Sequence, residues 1–143
     1  MRRRHHMLIG ESTAELVKKT IGCAHPDYDA QEMEVRGRSL TSGAPAAIIV
    51  SGKEVREAVS EVVSAIVTAI RQALENTPPE LSGDIISQGI SMAGGGALLK
   101  GLDRRIAQEL NINVRVSDDA LAAVAEGAGR CLDNFELYRE VLL

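Results

Sequence analysis

Ser91-Met92-Ala93-Gly94-Gly95-Gly96-Ala97-Leu98-Leu99-Lys100-Gly101-Leu102-Asp103 is the stretch that decides the fold, because it places three consecutive glycines between a predicted strand and a predicted helix. Glycine tolerates positive φ and lets backbone amides approach a ligand closely. A helix that begins at such a turn directs its free N–H groups and positive dipole end towards the turn, which suits a nucleotide. A tight strand-to-helix turn without a ligand fits the same glycines, so the residues alone leave both interpretations open.

Strands and helices alternate in the part of the chain around this segment. Strands are predicted at 90–93 and 114–116, and helices at about 97–110 and 119–132. This βαβα order predicts a parallel sheet with crossover helices. Two strands are too few for a parallel sheet that is covered on both faces. We therefore expect this part to be the end of a larger sheet, and the chain to be a piece of a larger fold.

The first part of the chain is predicted to be mainly helical. Residues 2–9 are expected to be the last turns of a helix that stops at Gly10. Ser12 and Glu15 have the spacing of a capping box, which predicts a second helix that ends at Gly22.

A hairpin and a long helix are predicted next. Apolar and charged residues alternate over 32–38, and a short apolar run covers 47–50, which together predict two paired strands. A second capping box, Ser51 with Glu54, opens the longest predicted helix, and Pro78 ends it.

The composition is that of a soluble globular domain with a core of aliphatic residues. The chain has 143 residues, of which 45% are apolar and only 2% are aromatic, with no Trp. Scarce aromatic residues and a net charge of -4 argue against a nucleic-acid partner. Two isolated cysteines, no apolar run of membrane-spanning length and no signal peptide predict a cytoplasmic chain with reduced thiols.

The common motifs for phosphate binding, metal binding and nucleophilic catalysis are absent from the sequence. A dinucleotide fingerprint would need glycine at position 99, which is Leu99, and the sequence contains no P-loop. It also contains no CxxC or HExxH spacing and no nucleophile elbow. We therefore predict no catalytic residue and no metal site.

Three polar or glycine-rich positions allow two interpretations each. Asp118-Asp119 fits a helix N-cap better than metal or water positioning. Gly127 and Gly129 lie inside a predicted helix, where close packing against another element explains them better than a ligand. The capping box fully explains Glu15 without a ligand. Its carboxylate could also accept hydrogen bonds from ribose hydroxyls, with Lys18 one turn further on the same face, which is the less favoured interpretation.

Five segments of the chain resemble the MreB-like bacterial actins, which belong to the actin, Hsp70 and sugar-kinase ATPase superfamily. They occur in the family's order and at compatible spacings over nearly the whole chain. The segments are Leu8-Ile9-Gly10-Glu11-Ser12-Thr13-Ala14-Glu15, Met33-Glu34-Val35-Arg36-Gly37-Arg38, Thr77-Pro78-Pro79-Glu80-Leu81, Gly94-Gly95-Gly96-Ala97-Leu98-Leu99 and Ala123-Val124-Ala125-Glu126-Gly127.

The resemblance implies an adenosine site and an ATP cofactor. In that family the glycine turn and the helix carrying the GExxAE segment enclose the base and ribose. The resemblance implies that the turn lines the adenine and ribose through Gly95, Gly96, Ala97 and Leu98, and that Glu15 and Lys18 contact the sugar or base from the other side.

The resemblance covers only the second half of the family's chain. Both phosphate loops, the catalytic residues and the membrane-contacting segment have no counterpart here, and the Mg of the complete family fold has no site in this chain. Ala93 and Ala120 depart from the family's usual Thr and Pro, and the tail from Phe135 is unmatched. We therefore predict that the chain does not hydrolyse ATP alone and binds it weakly if at all.

The predicted fold class is α/β, the C-terminal part of an actin-like (ribonuclease H-like) ATPase fold that is rich in helices, with a short hairpin subdomain and an incomplete parallel sheet. Residues 1–86 are expected to be mainly the small subdomain, residues 87–134 the end of the larger nucleotide-binding subdomain, and residues 135–143 a tail.

The function implied by the resemblance is that of a cytoskeletal protein. The family binds ATP, forms membrane-associated filaments and directs cell shape and cell-wall elongation. The implied partners are other copies of this chain or full-length protomers of the family, and the cell-wall elongation machinery. Contact with the inner membrane is implied only through the missing half. One alternative is a non-catalytic module that caps or modulates full-length filaments. Another is an unrelated small α/β regulator whose glycine turn is purely structural.

Overall fold

The computed structural model describes the backbone of residues 1–142 and the side-chain surroundings of residues 1–139. Within these residues, 3-10 turns occupy Pro26–Tyr28 and Gly95–Leu98. The helices and strands, in chain order, are α1 Arg2–His5, β1 Met7–Leu8, α2 Glu11–Ile21, β2 Glu32–Ser39, β3 Pro45–Ser51, α3 Gly52–Glu75, α4 Pro79–Gln88, β4 Ile90–Met92, α5 Leu102–Leu110, β5 Val114–Val116, α6 Ala123–Asp133 and α7 Phe135–Leu142.

The first sheet is antiparallel, with the strand order β1-β2-β3. Strands β2 and β3 form the predicted hairpin, in which Glu32 lies opposite Ser51. The expectation of one helix over residues 2–9 was wrong, because α1 ends at His5 and β1 follows at once. His6 adopts a left-handed conformation with φ 46°, which ends the helix and turns the chain into the sheet.

Helix α2 begins two residues earlier than a capping box at Ser12 requires. Gly10 is the N-cap, with an extended backbone and no side-chain hydrogen bond, so that Ser12 lies inside the first turn. The predicted capping box of Ser12 and Glu15 was therefore wrong, whereas the predicted end of the helix at Gly22 is confirmed.

Helix α3 begins with the capping box that its sequence predicts. The Ser51 hydroxyl accepts a hydrogen bond from the Glu54 N–H at 3.3 Å, and the Glu54 carboxylate accepts one from the Ser51 N–H at 2.9 Å. This arrangement satisfies two backbone donors that the helix itself leaves free.

Two apolar clusters form the core, and α3 contributes to both of them. The first lies between α2, the antiparallel sheet and the start of α3, and contains Val17, Ile21, Val35, Val50 and Val55. The second joins the middle of α3 to α5, and contains Ala24, Val63, Val67, Leu102 and Ile106, with Ile90, Met92 and Val114 of β4 and β5 packed against it. One long helix therefore connects the hairpin to the glycine-rich part of the chain.

Strands β4 and β5 are parallel, as the sequence predicts, with Ile90 opposite Val114. The helix expected over 97–110 begins only at Leu102, because a 3-10 turn and the left-handed Gly101 (φ 72°) come first. The helix expected from residue 119 begins at Ala123. Among the described residues, no helix is both long and apolar enough to span a bilayer.

Candidate functional site

The glycine turn lies at the carboxyl ends of the parallel strands, which is where ligands bind in open α/β sheets. It follows β4, and the turn after β5 is fixed beside it by two backbone hydrogen bonds. The Ser117 N–H donates to the Met92 carbonyl at 2.9 Å, and the Gly94 N–H donates to the Ala120 carbonyl at 2.6 Å. The glycine turn and the turn after β5 therefore lie side by side at one edge of the parallel sheet.

The conformation of the turn explains only the first of its three glycines. Gly94 has a φ of 80°, which favours glycine. Gly95 and Gly96 do not have positive φ, and a Cβ built on Gly96 would meet no atom within 4 Å. A Cβ on Gly95 would make an ordinary contact, 3.7 Å from Leu121 Cδ2. Neither the backbone nor the neighbouring atoms require glycine at positions 95 and 96.

The rest of the turn presents one buried and one exposed apolar residue. Ala97 is buried, whereas Leu98 is exposed at the surface. Leu121 is 68% exposed beside Gly95, so that the edge carries two exposed leucines. The expectation that a helix begins directly at the glycines was wrong, since the residues there form a single 3-10 turn and α5 starts at Leu102.

The segment after the turn is fastened to the end of α2. Cys23 and Lys100 form a parallel β-bridge, and the Ala24 N–H donates to the Lys100 carbonyl at 2.8 Å. The Lys100 ammonium donates to the Thr20 carbonyl at 2.6 Å and to Gln31 Oε1 at 2.7 Å. The helix that carries Glu15 and Lys18 is thus held to the glycine turn at its C-terminal end.

Glu15 has an exposed carboxylate that caps no backbone donor. Its Oε1 lies 2.9 Å from Lys19 Nζ. The hydrogen bond and the charge of Lys19, with a smaller contribution from the charge of Lys18, lower the pKa of Glu15 below its ordinary value. In the part of the chain that the structure describes, no hydrogen bond or ion pair joins Glu15 or Lys18 to the glycine turn. The structure joins the two elements at one end of α2, and the Glu15 carboxylate pairs with Lys19 of its own helix and not with the glycine turn.

Asp119, in the turn after β5, accepts two hydrogen bonds from the backbone that follows it. Asp119 Oδ1 accepts a hydrogen bond from the Ala122 N–H at 3.0 Å, and the Asp119 carbonyl accepts one from the Ala123 N–H at 2.9 Å. The predicted N-cap of the last helix at Asp118-Asp119 was wrong, because Ala122 is the N-cap of α6 and makes no side-chain hydrogen bond, whereas Asp119 closes the turn that precedes the helix. The described residues hold no group of three or more His, Cys, Asp or Glu side chains that could bind a metal ion.

A cavity of about 540 Å³ lies away from the glycine turn, between α1, α2 and α3. The Arg4 guanidinium reaches Glu57 at 2.8 Å across it, and His5 Nε2 lies 2.8 Å from Glu54 Oε1. Its apolar side includes Ile9, Val17 and Val50. The sequence analysis did not single out this cavity, because its lining residues come from elements that meet only after folding.

Lys100 and Leu121 are further residues of the edge that the sequence analysis did not select. Lys100 belongs to the opening motif, but its contacts with Thr20 and Gln31 span 80 and 69 residues of chain. Leu121 is one apolar residue in an irregular turn. No local pattern in the sequence signals either contact.

Comparisons with known proteins agree on one family and one fold. The family described as MreB/Mbl protein matches residues 1–140. The cell shape-determining protein Mbl of Bacillus subtilis is 47% identical over 136 residues, covering 95% of this chain and 41% of its own. The crystal structure of MreB5 of Spiroplasma citri bound to ADP superposes with a TM-score of 0.89 at 34% identity, over 97% of this chain and 42% of that one.

A more distant structure shows the same fold. The MamK double helical filament superposes with a TM-score of 0.67 at 21% identity, over 87% of this chain and 40% of that one. The predicted fold class is confirmed as actin-like, rich in helices, with a small antiparallel sheet and a two-stranded parallel sheet. The chain spans about two-fifths of the length of the relatives it matches.

Proposed function

The chain belongs to the MreB/Mbl family, and from this premise we propose that it supplies the adenosine-binding side of a nucleotide site in a bacterial actin-like cytoskeletal protein. MreB5 of Spiroplasma citri, which superposes on this chain with a TM-score of 0.89, is described as bound to ADP, which supports a nucleotide as the ligand.

The observation that carries the proposal is the open space at Gly96 beside a turn that does not need glycine there. A glycine with room for a side chain, at the carboxyl edge of parallel strands, suits the close approach of a ligand to the backbone. In this proposal Gly95, Gly96, Ala97 and Leu98 line the base and ribose. The exposed leucine offers apolar surface to a planar base.

Glu15 and Lys18 form the opposing side of the proposed site. An ionised carboxylate accepts hydrogen bonds and donates none, so that Glu15 suits the hydroxyl groups of a ribose. A glutamate is ionised at neutral pH, and Lys19 lowers the pKa of Glu15 further. Lys18 lies one helical turn further along α2 and supplies donors for the sugar or the base.

Phosphate chemistry is not assigned to this chain. Catalysis of phosphoryl transfer depends on metal ions and donors that neutralise the charge of the γ-phosphate. The described residues contain no group of three or more His, Cys, Asp or Glu side chains that could hold a metal ion, and we assign Mg²⁺ to none of them. We propose that the chain does not turn over ATP alone.

The cellular role that follows is participation in filaments that determine cell shape. One relative is named a cell shape-determining protein and another is described as a double helical filament, which supports self-association. We further propose a cytoplasmic location. Membrane contact and coupling to cell-wall elongation would occur through parts of the fold outside this chain. Residues 1–86 are assigned mainly to the small subdomain, and residues 87–134 to the end of the larger one.

A non-catalytic module that caps or modulates full-length filaments is the second candidate. Sedimentation with Mbl filaments separates the two roles: a module that caps filaments reduces the pelleted fraction of Mbl at low molar ratio, whereas a chain that takes part in the filaments pellets with them.

The direct test of nucleotide binding uses a chimaera in which this chain replaces the matched 136 residues of Mbl. A fluorescent ADP analogue is titrated into the chimaera and into its Gly96→Val variant. Because a Cβ at Gly96 meets no protein atom, we expect the variant to keep its thermal stability and to lose at least tenfold in affinity. Gly83→Val, at a second glycine with open space, is the control. Equal affinity of all three proteins would overturn the proposal.

A further inference from the structure

The cavity between α1, α2 and α3 has the size of a small-molecule site. Its volume of about 540 Å³ falls within the range of roughly 300–1,000 Å³ that such sites occupy. The residues that line it come from the N-terminal segment, α2, β3 and the start of α3. None of them is Glu15, Lys18 or a residue of the glycine turn, so that the cavity is separate from the proposed adenosine site. We call it the α1 cavity.

One wall of the α1 cavity is apolar. Val17 of α2, Val50 of β3 and Val55 of α3 line it, and each of them is at most 8% exposed. Ala14 and Ala58 also line the cavity, and their short side chains leave space between the two helices. A hydrocarbon group that packs against this wall is removed from water together with the wall itself, which is favourable.

The wall formed by α1 is basic. The helix consists entirely of basic residues, and all of them line the cavity: Arg2, Arg3, Arg4 and His5. A site with an apolar wall and a charged wall favours a ligand that has an apolar body and one group of the opposite charge. The charge that a ligand meets depends on which of these residues are already paired within the chain.

The two carboxylates of the lining have partners within the chain. The Glu57 carboxylate lies 2.8 Å from the Arg4 guanidinium, and the Glu54 carboxylate lies 2.8 Å from His5 Nε2. Glu54 also belongs to the capping box of α3, in which the Ser51 N–H donates to it at 2.9 Å. That hydrogen bond, with a smaller contribution from His5, lowers the pKa of Glu54. Both carboxylates and the two basic residues that face them are therefore paired.

Arg2 and Arg3 carry the charge that remains. Both residues are exposed, and among the side chains that the structure describes neither guanidinium takes part in a hydrogen bond or an ion pair. A guanidinium group is always charged, and its planar donors match the oxygens of a carboxylate or a phosphate. The α1 cavity therefore presents unpaired positive charge on its solvent side and apolar surface at its base.

We propose that the α1 cavity binds a small amphiphilic anion, whose hydrocarbon body packs against the apolar wall and whose carboxylate or phosphate group pairs with Arg2 and Arg3. A cationic amphiphile meets the wrong charge, and a neutral one leaves both guanidinium groups without a partner. The cavity is too small for the two long acyl chains of a membrane phospholipid, so that the occupant is a soluble molecule with a single short chain. The proposal does not depend on nucleotide binding.

A titration of the full chain with octanoate tests the proposal. Octanol and octylammonium have the same chain length and are the neutral and the cationic probe, and amide NMR spectra report both the affinity and the location. We expect saturable binding of octanoate, at least tenfold tighter than that of either other probe, with the largest shifts at amides of the lining such as Val17 and Val55. Equal affinities of the three probes, or shifts that do not saturate or that lie elsewhere, would overturn the proposal.

Filling the cavity tests the role of its apolar wall. Ala58→Phe places a large side chain in the lining and should weaken octanoate binding at least tenfold. Ala65→Phe is the matched control, because Ala65 is exposed on the same helix outside the lining, and it should leave the affinity unchanged. Circular dichroism of each purified chain checks that it folds. Unchanged octanoate binding by a folded Ala58→Phe chain would place the ligand elsewhere and overturn the proposal.

The double variant Arg2→Gln/Arg3→Gln tests the charge. It should weaken octanoate binding at least tenfold and leave octanol binding unchanged, which a general loss of structure would not do. Arg38→Gln/Arg71→Gln removes two exposed arginines outside the cavity and should change neither affinity. An equal loss for octanoate and octanol would contradict the assigned anion site. Flotation of the chain with phosphatidylglycerol vesicles, abolished by Arg2→Gln/Arg3→Gln, would assign these arginines to a membrane surface and overturn the proposal.

Discussion

The side-chain ammonium of Lys100 lies 2.6 Å from the carbonyl oxygen of Thr20, and so joins the segment after the glycine turn to the last turn of α2. A cation at a helix C-terminus interacts favourably with the carbonyls and the dipole there. This contact fixes the end of the helix that carries Glu15 and Lys18.

Replacing Lys100 with methionine should loosen this connection. We expect Lys100→Met to lower the free energy of unfolding by about 1 kcal/mol, because a hydrogen bond to a partly exposed charged group is lost. In the chimaera it should also weaken nucleotide binding, since the two sides of the site lose their spacing. Lys100→Arg, which keeps the charge and the donors, should restore both properties. A loss of stability without any change in affinity would show that the contact does not position the site.

The capping box of α3 should matter for stability, and the serine of α2 should not. Ser51→Ala removes the acceptor of the Glu54 N–H and is expected to cost about 1 kcal/mol in the free energy of unfolding. Ser12→Ala is the matched control, because Gly10 and not Ser12 caps α2. Urea denaturation measures both, and an equal loss for the two variants would contradict the assigned helix start.

Gly101 should tolerate a side chain less well than Gly43. Both glycines have nearly the same positive φ, at 72° and 73°, so that alanine is strained by about 1 kcal/mol at either position. A Cβ at Gly101 would also lie 2.6 Å from the His25 Cβ, whereas one at Gly43 meets nothing within 4 Å. The melting temperature should therefore fall clearly further for Gly101→Ala. Equal shifts of the melting temperature would contradict the close packing of His25 and Tyr28 on Gly101.

Stability at low pH should depend on the pairing of Asp29 with Arg56. The guanidinium donates two hydrogen bonds to the carboxylate, at 2.7 and 2.8 Å, and lowers the pKa of Asp29. The contribution is fully present above the unfolded-state pKa of about 3.9 and is lost as the pH falls through the lower folded-state pKa. The difference in unfolding free energy between the wild type and Asp29→Asn should shrink over that range. A difference independent of pH would contradict the pairing.

Sequence patterns predicted the elements that are encoded locally. The Ser51–Glu54 capping box, the hairpin and the parallel pairing of β4 with β5 were predicted correctly, because periodicity and turn residues determine them over short distances. The start of α2 was wrong, because Gly10 competes with Ser12 for the N-cap and only the folded backbone decides between them.

The candidate site was predictable only in part. The glycine turn was apparent from its composition. The later start of α5 was not, because it follows the left-handed Gly101, which packs closely against His25 and Tyr28, far away in sequence. The hydrogen bond from the Lys100 side chain to the Thr20 carbonyl likewise depends on tertiary structure. The assignment of Glu15 and Lys18 came from family resemblance and stays a prediction.

Photolabelling tests most directly whether the turn and α2 form the two sides of one adenosine site. The chimaera is irradiated with an azido-adenosine diphosphate, digested, and analysed by mass spectrometry, with unlabelled ADP as competitor. We predict competed label in two peptides of this chain, one containing Ala97 and Leu98 and the other containing Glu15. Label confined to other peptides, such as those lining the cavity near Arg4 and Val50, would contradict the account.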